Sequence, residues 1–249
     1  MKVVFSMPTY SRHPCEEIKM SSLATQYLFL QHNIDTVFRD LGGDPYLAKA
    51  RNTLASEFLL DHKDADYLFF VDDDVGWPAE AALRLVKHDA DVCVGIYPKK
   101  NDDEEWPVEL IFEKKADGST APIEQNGLYL TALAPTGFMC IRRNVLEACA
   151  KDSGRYTRDD AKKGVVWCWD IFRTGFVPDE PNGKIGRWWG EDFFFSVMVR
   201  NLGFQIWTDP NIDFTHRGTK AWKGNFNVAL KKKIIELSQP KLAFSIAAE

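Results

Sequence analysis

Strand-type and helix-type runs alternate along residues 1–100, the pattern of a sheet whose strands are joined by helical crossovers. Val3-Val4-Phe5 is a β-rich run closing at Met7-Pro8-Thr9, and apolar spacing predicts a helix over Ser21 to Gln31. Thr36-Val37-Phe38 reads as a second short strand, ended by the turn signal Leu41-Gly42-Gly43-Asp44-Pro45. From Tyr46 to Leu60, Leu47, Ala50, Leu54 and Phe58 form one stripe at helical spacing. Tyr67 to Val71 is apolar without alternation, as a strand buried on both faces requires, and it runs directly into Asp72-Asp73-Asp74. A helix near Pro78 to Lys87 and a buried strand over Val92 to Tyr97 follow. The expected class is α/β with a mostly parallel sheet.

Beyond Asn101 the chain becomes polar and glycine- or proline-punctuated, so this half reads as insertions and loops around the sheet. Within it, Leu128 to Leu133 and Phe138 to Arg142 predict strands, Asn144 to Lys151 a helix, and Glu191 to Leu202 a helix followed by the strand Phe204 to Trp207. Tyr156 to Arg187 has weak periodicity, and loops of that length in a domain tend to carry function. A last helix, Val228 to Leu237, carries Lys231-Lys232-Lys233, either a solvated face or a contact for an anionic acceptor or membrane surface.

Composition narrows the class. At 249 residues and 45% hydrophobic content, the chain can bury a full core as one large domain or as two small lobes around a cleft. A formal net charge of -5 gives no overall basic field to nominate a nucleic acid or an anionic membrane. Five scattered cysteines, none in a Cys-x-x-Cys pair, fit reduced thiols rather than a disulfide or zinc framework. No run approaches the roughly 18 to 20 apolar residues of a membrane span, and the expectation is a soluble cytoplasmic protein.

In open α/β sheets ligands bind outside the carboxyl ends of the strands, which is where Asp72, Asp73 and Asp74 stand. Crowded carboxylates repel one another unless a cation sits among them, and hard oxygen ligands suit magnesium or manganese. Extended-chain alternation points Asp72 and Asp74 to one side and Asp73 away. A solvated acidic turn or a helix cap is the competing account. A divalent ion at this position could offset the charge of a leaving sugar diphosphate, and would equally serve a metal nuclease or phosphohydrolase.

Arg51 falls on the apolar stripe of its helix, so its charge needs a partner: an internal aspartate, or a diphosphate or base. Glu191-Asp192 opens a helix, where carboxylates are ordinary, yet Trp188 and Trp189 precede it and would raise a carboxylate toward a usable base. His216 follows a strand-like run and could complete a metal shell, or be an ordinary packed histidine. Trp167, Trp169, Trp188, Trp189 and Trp222 suit sugar stacking as well as core packing.

Taken in order, Met7-Pro8-Thr9-Tyr10, Ala50-Arg51-Asn52, Leu68 to Val75, Gly95-Ile96-Tyr97-Pro98-Lys99-Lys100, Thr136-Gly137-Phe138-Met139, Gly190-Glu191-Asp192 and His216-Arg217-Gly218 resemble the GT-A fold glycosyltransferases, specifically the small, soluble, inverting family 2 type. The resemblance implies a Rossmann-like, mixed and mostly parallel sheet in one domain over 1–249. It divides that domain into a nucleotide-sugar half (1–100), an acceptor and catalytic half (101–225) and a C-terminal helix and tail (226–249). It places the donor, a UDP-sugar in preference to a GDP-sugar, against Pro8, Thr9, Tyr10, Arg51, Asp72, Asp73 and Lys99. Manganese or magnesium would lie on Asp72, Asp74 and His216. The acceptor hydroxyl, of a glycan, small molecule, protein or modified nucleic-acid base, would lie by Gly137, Phe138, Trp188, Trp189 and Glu191, with Asp192 as general base. Arg39-Asp40-Leu41-Gly42-Gly43 departs from the acidic stretch usual in family 2, which leaves the donor base open. A phosphohydrolase or nucleotidyltransferase built on the same aspartates, and a catalytically silent nucleotide-sugar-binding module, are the alternatives.

Overall fold

Every residue of Tyr67–Val71 is buried, and the rest of the molecule is arranged around that strand. The computed structural model describes residues 1–158, 167–180 and 183–238. In chain order the elements of its first half are β1 (Lys2–Thr9), α1 (Glu16–Gln31), β2 (Asp35–Gly42), α2 (Leu47–Asp61), β3 (Tyr67–Val71), β4 (Val75–Gly76), α3 (Ala79–Lys87) and β5 (Val92–Gly95). Four short strands follow, β6 (Glu109–Leu110), β7 (Phe112–Lys114), β8 (Thr120–Pro122) and β9 (Glu124–Gln125), then β10 (Leu128–Leu133), β11 (Phe138–Arg142) and α4 (Arg143–Asp152). The remainder comprises β12 (Arg155–Thr157), β13 (Trp167–Trp169), β14 (Gly175–Pro178), β15 (Gly186–Trp189), α5 (Glu191–Asn201), β16 (Ile206–Asp209), β17 (Asp213–Arg217), β18 (Ala221–Asn225) and α6 (Phe226–Ser238).

The central sheet runs β2-β1-β3-β11-β5-β16-β10-β6, with β9 paired to β10. β1 is parallel to β2 and β3, and β16 is parallel to β5, whereas β11 is antiparallel to both β3 and β5. This is the mixed, mostly parallel α/β arrangement that the sequence pattern implied. Side chains alternate between two cores, as the pleat dictates. Leu68 and Phe70 join Leu54, Phe58, Met139 and Phe195 on the α2, α4 and α5 side, while Phe69 and Val71 join Phe5, Ile18, Ala82 and Phe138 on the α1 and α3 side.

The structure corrects the reading of the second half as insertions around the sheet, because β11, β16, β10 and β6 are themselves sheet strands. Short alternating segments look like loops in sequence when their partners are distant in the chain. Within Tyr156 to Arg187, β12 pairs with β13 and β14 with β15 as two antiparallel ribbons; residues 159–166 and 181–182 lie outside the described set. α1 begins at Glu16, earlier than the apolar spacing indicated, since its first turn carries Glu16 and Glu17, which favour the positive helix end, and Ile18 is buried. β16 runs on to Asp209 rather than stopping at Trp207. All five cysteines are free thiols, and no described helix is long and apolar enough to cross a membrane. Lys231, Lys232 and Lys233 are exposed.

Candidate functional site

At the carboxyl end of β3 the chain turns instead of continuing extended: the Val75 amide bonds back to the Asp72 carbonyl at 3.3 Å before β4 starts. That turn cancels the alternation expected for the aspartates, and each takes a different set of partners. Asp72 Oδ1 accepts from Arg51 Nη2 at 2.7 Å, and its Oδ2 lies 3.4 Å from the Tyr97 hydroxyl. Asp73 Oδ2 accepts from Thr9 Oγ1 at 2.5 Å; burial raises this carboxyl above its ordinary range. Asp74 Oδ2 meets the Lys100 ammonium, and its Oδ1 faces His216 Nε2 at 3.4 Å. Asp72 and Asp74 are therefore not a matched pair on one side, as alternation required.

His216 is oriented by the main chain. Its Nδ1 lies 2.8 Å from the Pro98 carbonyl oxygen, which only accepts, so Nδ1 carries the proton. Nε2 then faces Asp74, the Pro98 carbonyl fixing which ring nitrogen is turned to the aspartate. Burial alone would raise the Asp74 carboxyl, but His216 and Lys100 outweigh it and hold Asp74 below its ordinary value. Among the described residues no three His, Cys, Asp or Glu side chains converge as a ready cage. Of the residues expected to hold a cation, Asp74 and His216 are the two that face each other, at 3.4 Å. Asp72 faces Arg51 through Oδ1.

Arg51 is 1% exposed and bridges two carboxylates, Asp72 and, through Nε at 3.1 Å, Glu191. Its guanidinium carbon sits 5.2 Å from the Phe70 ring centroid, and its Nη1 has no partner among the described residues. Of the two roles open to Arg51, the structure shows the internal pair. Glu191 likewise faces Arg51 rather than an acceptor. Its neighbour Asp192 differs: burial, reinforced by Glu191, pushes its carboxyl up to about 6, against the opposing Phe193 amide and Arg51. Asp192 Oδ1 accepts the Phe193 amide at 2.8 Å.

Further corrections follow from packing. Phe138 is fully buried, in ring contact with Phe69, Trp77 and Phe214, so it belongs to the core and not to an acceptor surface. Gly137 is buried too, and its carbonyl accepts the Asp72 amide at 2.9 Å. Lys99 turns to Glu105 at 3.0 Å, and the next residue, Lys100, is the one on Asp74. Pro8 and Thr9 are buried at the end of β1 and Tyr10 is 72% exposed. Trp188 is 74% exposed on the β14–β15 ribbon, whereas Trp189 packs edge-on against Phe193 and Phe194. Lys100 and Tyr97 were overlooked as site residues; both lie just past the buried β5 run, at a strand's carboxyl end, which was the available signal.

Gly137 has a steric role. A Cβ there would fall 2.2 Å from the Tyr97 hydroxyl and 2.3 Å from Asp72 Oδ2. Gly137→Ala is expected to displace Asp72 from Arg51 and to lower stability by about 1–3 kcal/mol, the usual cost of overpacking. Urea unfolding with an unchanged m-value checks it.

No protein-family model matches the chain, and no curated protein does. Among solved structures, the protein A197 from STIV is 19% identical over 88% of this chain and 86% of its own, with a TM-score of 0.48. S. aureus TarS 1-349 is 16% identical, covering 95% of this chain and 64% of that one, with a TM-score of 0.42. A nucleoside-diphosphate-sugar pyrophosphorylase from Vibrio cholerae RC9 is 9% identical over 83% and 90% of the two chains, also at 0.42. Similarity at this level assigns no family, and the functional reading rests on the residues of the site. What the chain's own sheet order and layers establish is a mixed, mostly parallel α/β fold with a cluster of ionisable residues at the carboxyl ends of β3 and β5.

Proposed function

We propose that the chain is a metal-dependent glycosyltransferase that moves a sugar from a UDP- or GDP-sugar to an acceptor hydroxyl with inversion. The observation that carries this reading is the occurrence of a candidate two-ligand cation position, Asp74 Oδ1 and His216 Nε2 at 3.4 Å, together with a carboxyl at Asp192 raised to about 6. Asp74 and His216 would hold manganese or magnesium, which supplies charge neutralisation to the diphosphate as the glycosidic bond breaks. Lys100 adds a fixed positive charge on the same side. Asp192 takes the proton of the acceptor hydroxyl as that oxygen bonds to the anomeric carbon; the bond to the diphosphate oxygen breaks and its electron pair leaves with the nucleotide. Trp188, exposed next to α5, offers a flat apolar face for the acceptor ring. A phosphohydrolase would use the cation position as well, but it gives no purpose to the raised carboxyl of Asp192.

Calorimetric titration with UDP and GDP, first with manganese and then with chelator, tests the reading. One nucleotide should bind only with manganese, and His216→Ala should weaken that binding at least tenfold, as loss of about one ligand implies. Binding of neither nucleotide overturns it. For the wild type, kcat/KM should rise tenfold per pH unit below about 6 and level off above, since the base works ionised and Asp192 is ionised above its raised pKa. Burial sets that value, Glu191 adding to it and Arg51 opposing it, while Tyr97, whose hydroxyl burial keeps neutral, faces Asp72. A profile flat from pH 5 to pH 8 would exclude Asp192 as the base.

A further inference from the structure

Helix α1 carries apolar side chains on both of its sides. Its inward face buries Ile18 and Phe29 together with two polar residues, Ser21 and Thr25. Both serve Trp77: Ser21 Oγ accepts its amide at 3.0 Å and donates to its carbonyl at 2.7 Å, and Thr25 Oγ1 accepts its indole N–H at 2.9 Å. The outward face presents Met20, Leu23, Tyr27 and Leu30, each 63–72% exposed. A helix that borders solvent keeps its polar residues outward, and one that is apolar all round is covered all round. A contiguous exposed apolar stripe of this kind marks a contact surface.

Spacing and charge say what covers it. Met20, Leu23, Tyr27 and Leu30 follow one another at intervals of three, four and three, the seam one helix offers to another. From Met20 to Gln31 the helix has no charged residue, Glu16, Glu17 and Lys19 standing at its N-terminal end and the exposed His32 at the other. Laid antiparallel on the same helix of a second copy, the seam sets Met20 against Leu30 and Leu23 against Tyr27. The same arrangement brings the acidic end of each helix to the His32 end of the other. Parallel pairing would instead stack Glu16 on Glu16 and Lys19 on Lys19. A lipid surface suits the stripe less, because interfacial helices flank their apolar face with lysine and arginine, and here one lysine stands with two glutamates.

Shape and area agree. Leu23 and Gln26 line a groove of about 570 Å³ with Met7 and Phe38, between α1 and the edge strand β2. In the antiparallel register Tyr27 of the other copy stands against Leu23, at the wall of that groove, as a knob meets a hole. The four side chains offer roughly 400–600 Å², and Ala24 and Gln31 beside them bring the face toward the ~800 Å² per partner of a standard interface. From this geometry we infer that the chain forms a two-fold homodimer through antiparallel pairing of its α1 helices. The contact is isologous, and it uses none of the residues assigned to sugar transfer.

Sedimentation velocity of the full chain, from about 2 to 200 µM, tests the pairing, with a Kd of about 1–100 µM expected for a contact at the small end of the range. Leu23→Glu and Tyr27→Lys should each weaken association at least tenfold while leaving the Tm unchanged, since both side chains are exposed. Mixed in equal amounts, the two variants should associate more tightly than either alone, because the antiparallel register sets residue 23 of one copy against residue 27 of the other. A chain monomeric throughout, variants that associate like the wild type, or a mixture no tighter than its components overturns the inference. Binding of the wild type but not of Leu23→Glu to phosphatidylserine vesicles, without self-association, overturns it too and gives the stripe to a lipid surface. Metal-dependent nucleotide binding, which neither variant should alter, reports separately on the transfer reading.

Discussion

Asp192→Asn is expected to abolish turnover while making the protein more stable at neutral pH. Loss of a general base lowers kcat by about 10²–10⁴. The stability gain follows from linkage. The carboxyl stands at about 6 in the folded chain against 3.8 ordinarily, so between those values the folded state holds its proton more tightly than the unfolded state does. The contribution of Asp192 to stability is therefore fully present below pH 4, falls as pH rises toward 6, and stays lost above. At ~1.4 kcal/mol per unit, removing the buried charge returns about 1–3 kcal/mol at pH 7 and almost nothing at pH 4. Asn keeps an oxygen for the Phe193 amide. A carboxylate that merely favours the helix N-terminus gives the opposite sign, a loss of about 0.3–1 kcal/mol on neutralisation. Differential scanning calorimetry at both pH values separates the two, and a lower Tm at pH 7 would remove Asp192 from the role assigned to it.

Arg51→Met should be the most damaging single substitution near the site. It leaves Asp72 and Glu191 facing each other in a buried space without their shared cation, and breaking such an arrangement from one side costs about 3–5 kcal/mol. Against a total stability of about 5–15 kcal/mol, that leaves a marginal fold. Arg51→Lys should recover only part, since an ammonium cannot serve two carboxylates through separate nitrogens as the guanidinium does. Adding Asp72→Asn and Glu191→Gln to Arg51→Met removes both stranded charges and should restore several kcal/mol. Chemical denaturation of the four proteins checks the series. If Arg51→Met unfolds like the wild type, the bridge is not what positions Asp72.

Much of this was legible in the sequence where one physical signal dominated. Tyr67 to Val71 reads as a central strand because an unbroken apolar run has no other comfortable place, and the α2 stripe from Leu47 to Phe58 reads as a helix for the same reason. Sheet order was not legible, since periodicity says which face a residue takes and nothing about which strand lies beside it. The aspartate cluster was located correctly at a strand end but its internal geometry was not, because a turn replaces the alternation that extended backbone would impose. Lys99 and Lys100 differ by one position, and only the packed loop decides which reaches Asp74. Phe138 matched a motif and was drawn to the site by it, while its burial on the α1 and α3 side comes from contacts with Phe69 and Phe214, residues far away in the chain.

The antiparallel strand β11 has a consequence for the birth of the molecule. It fills the gap between β3 and β5, so those two strands have no direct partnership of their own. During synthesis the ribosome delivers β1, β2, β3 and β5 first, and a fragment ending near residue 100 would carry two long apolar edges with nothing to pair them. Residues 1–100 are thus not a folding unit by themselves: the open edge of β3 is covered only once Arg142 has emerged, and the second edge of β5 only once Asp209 has.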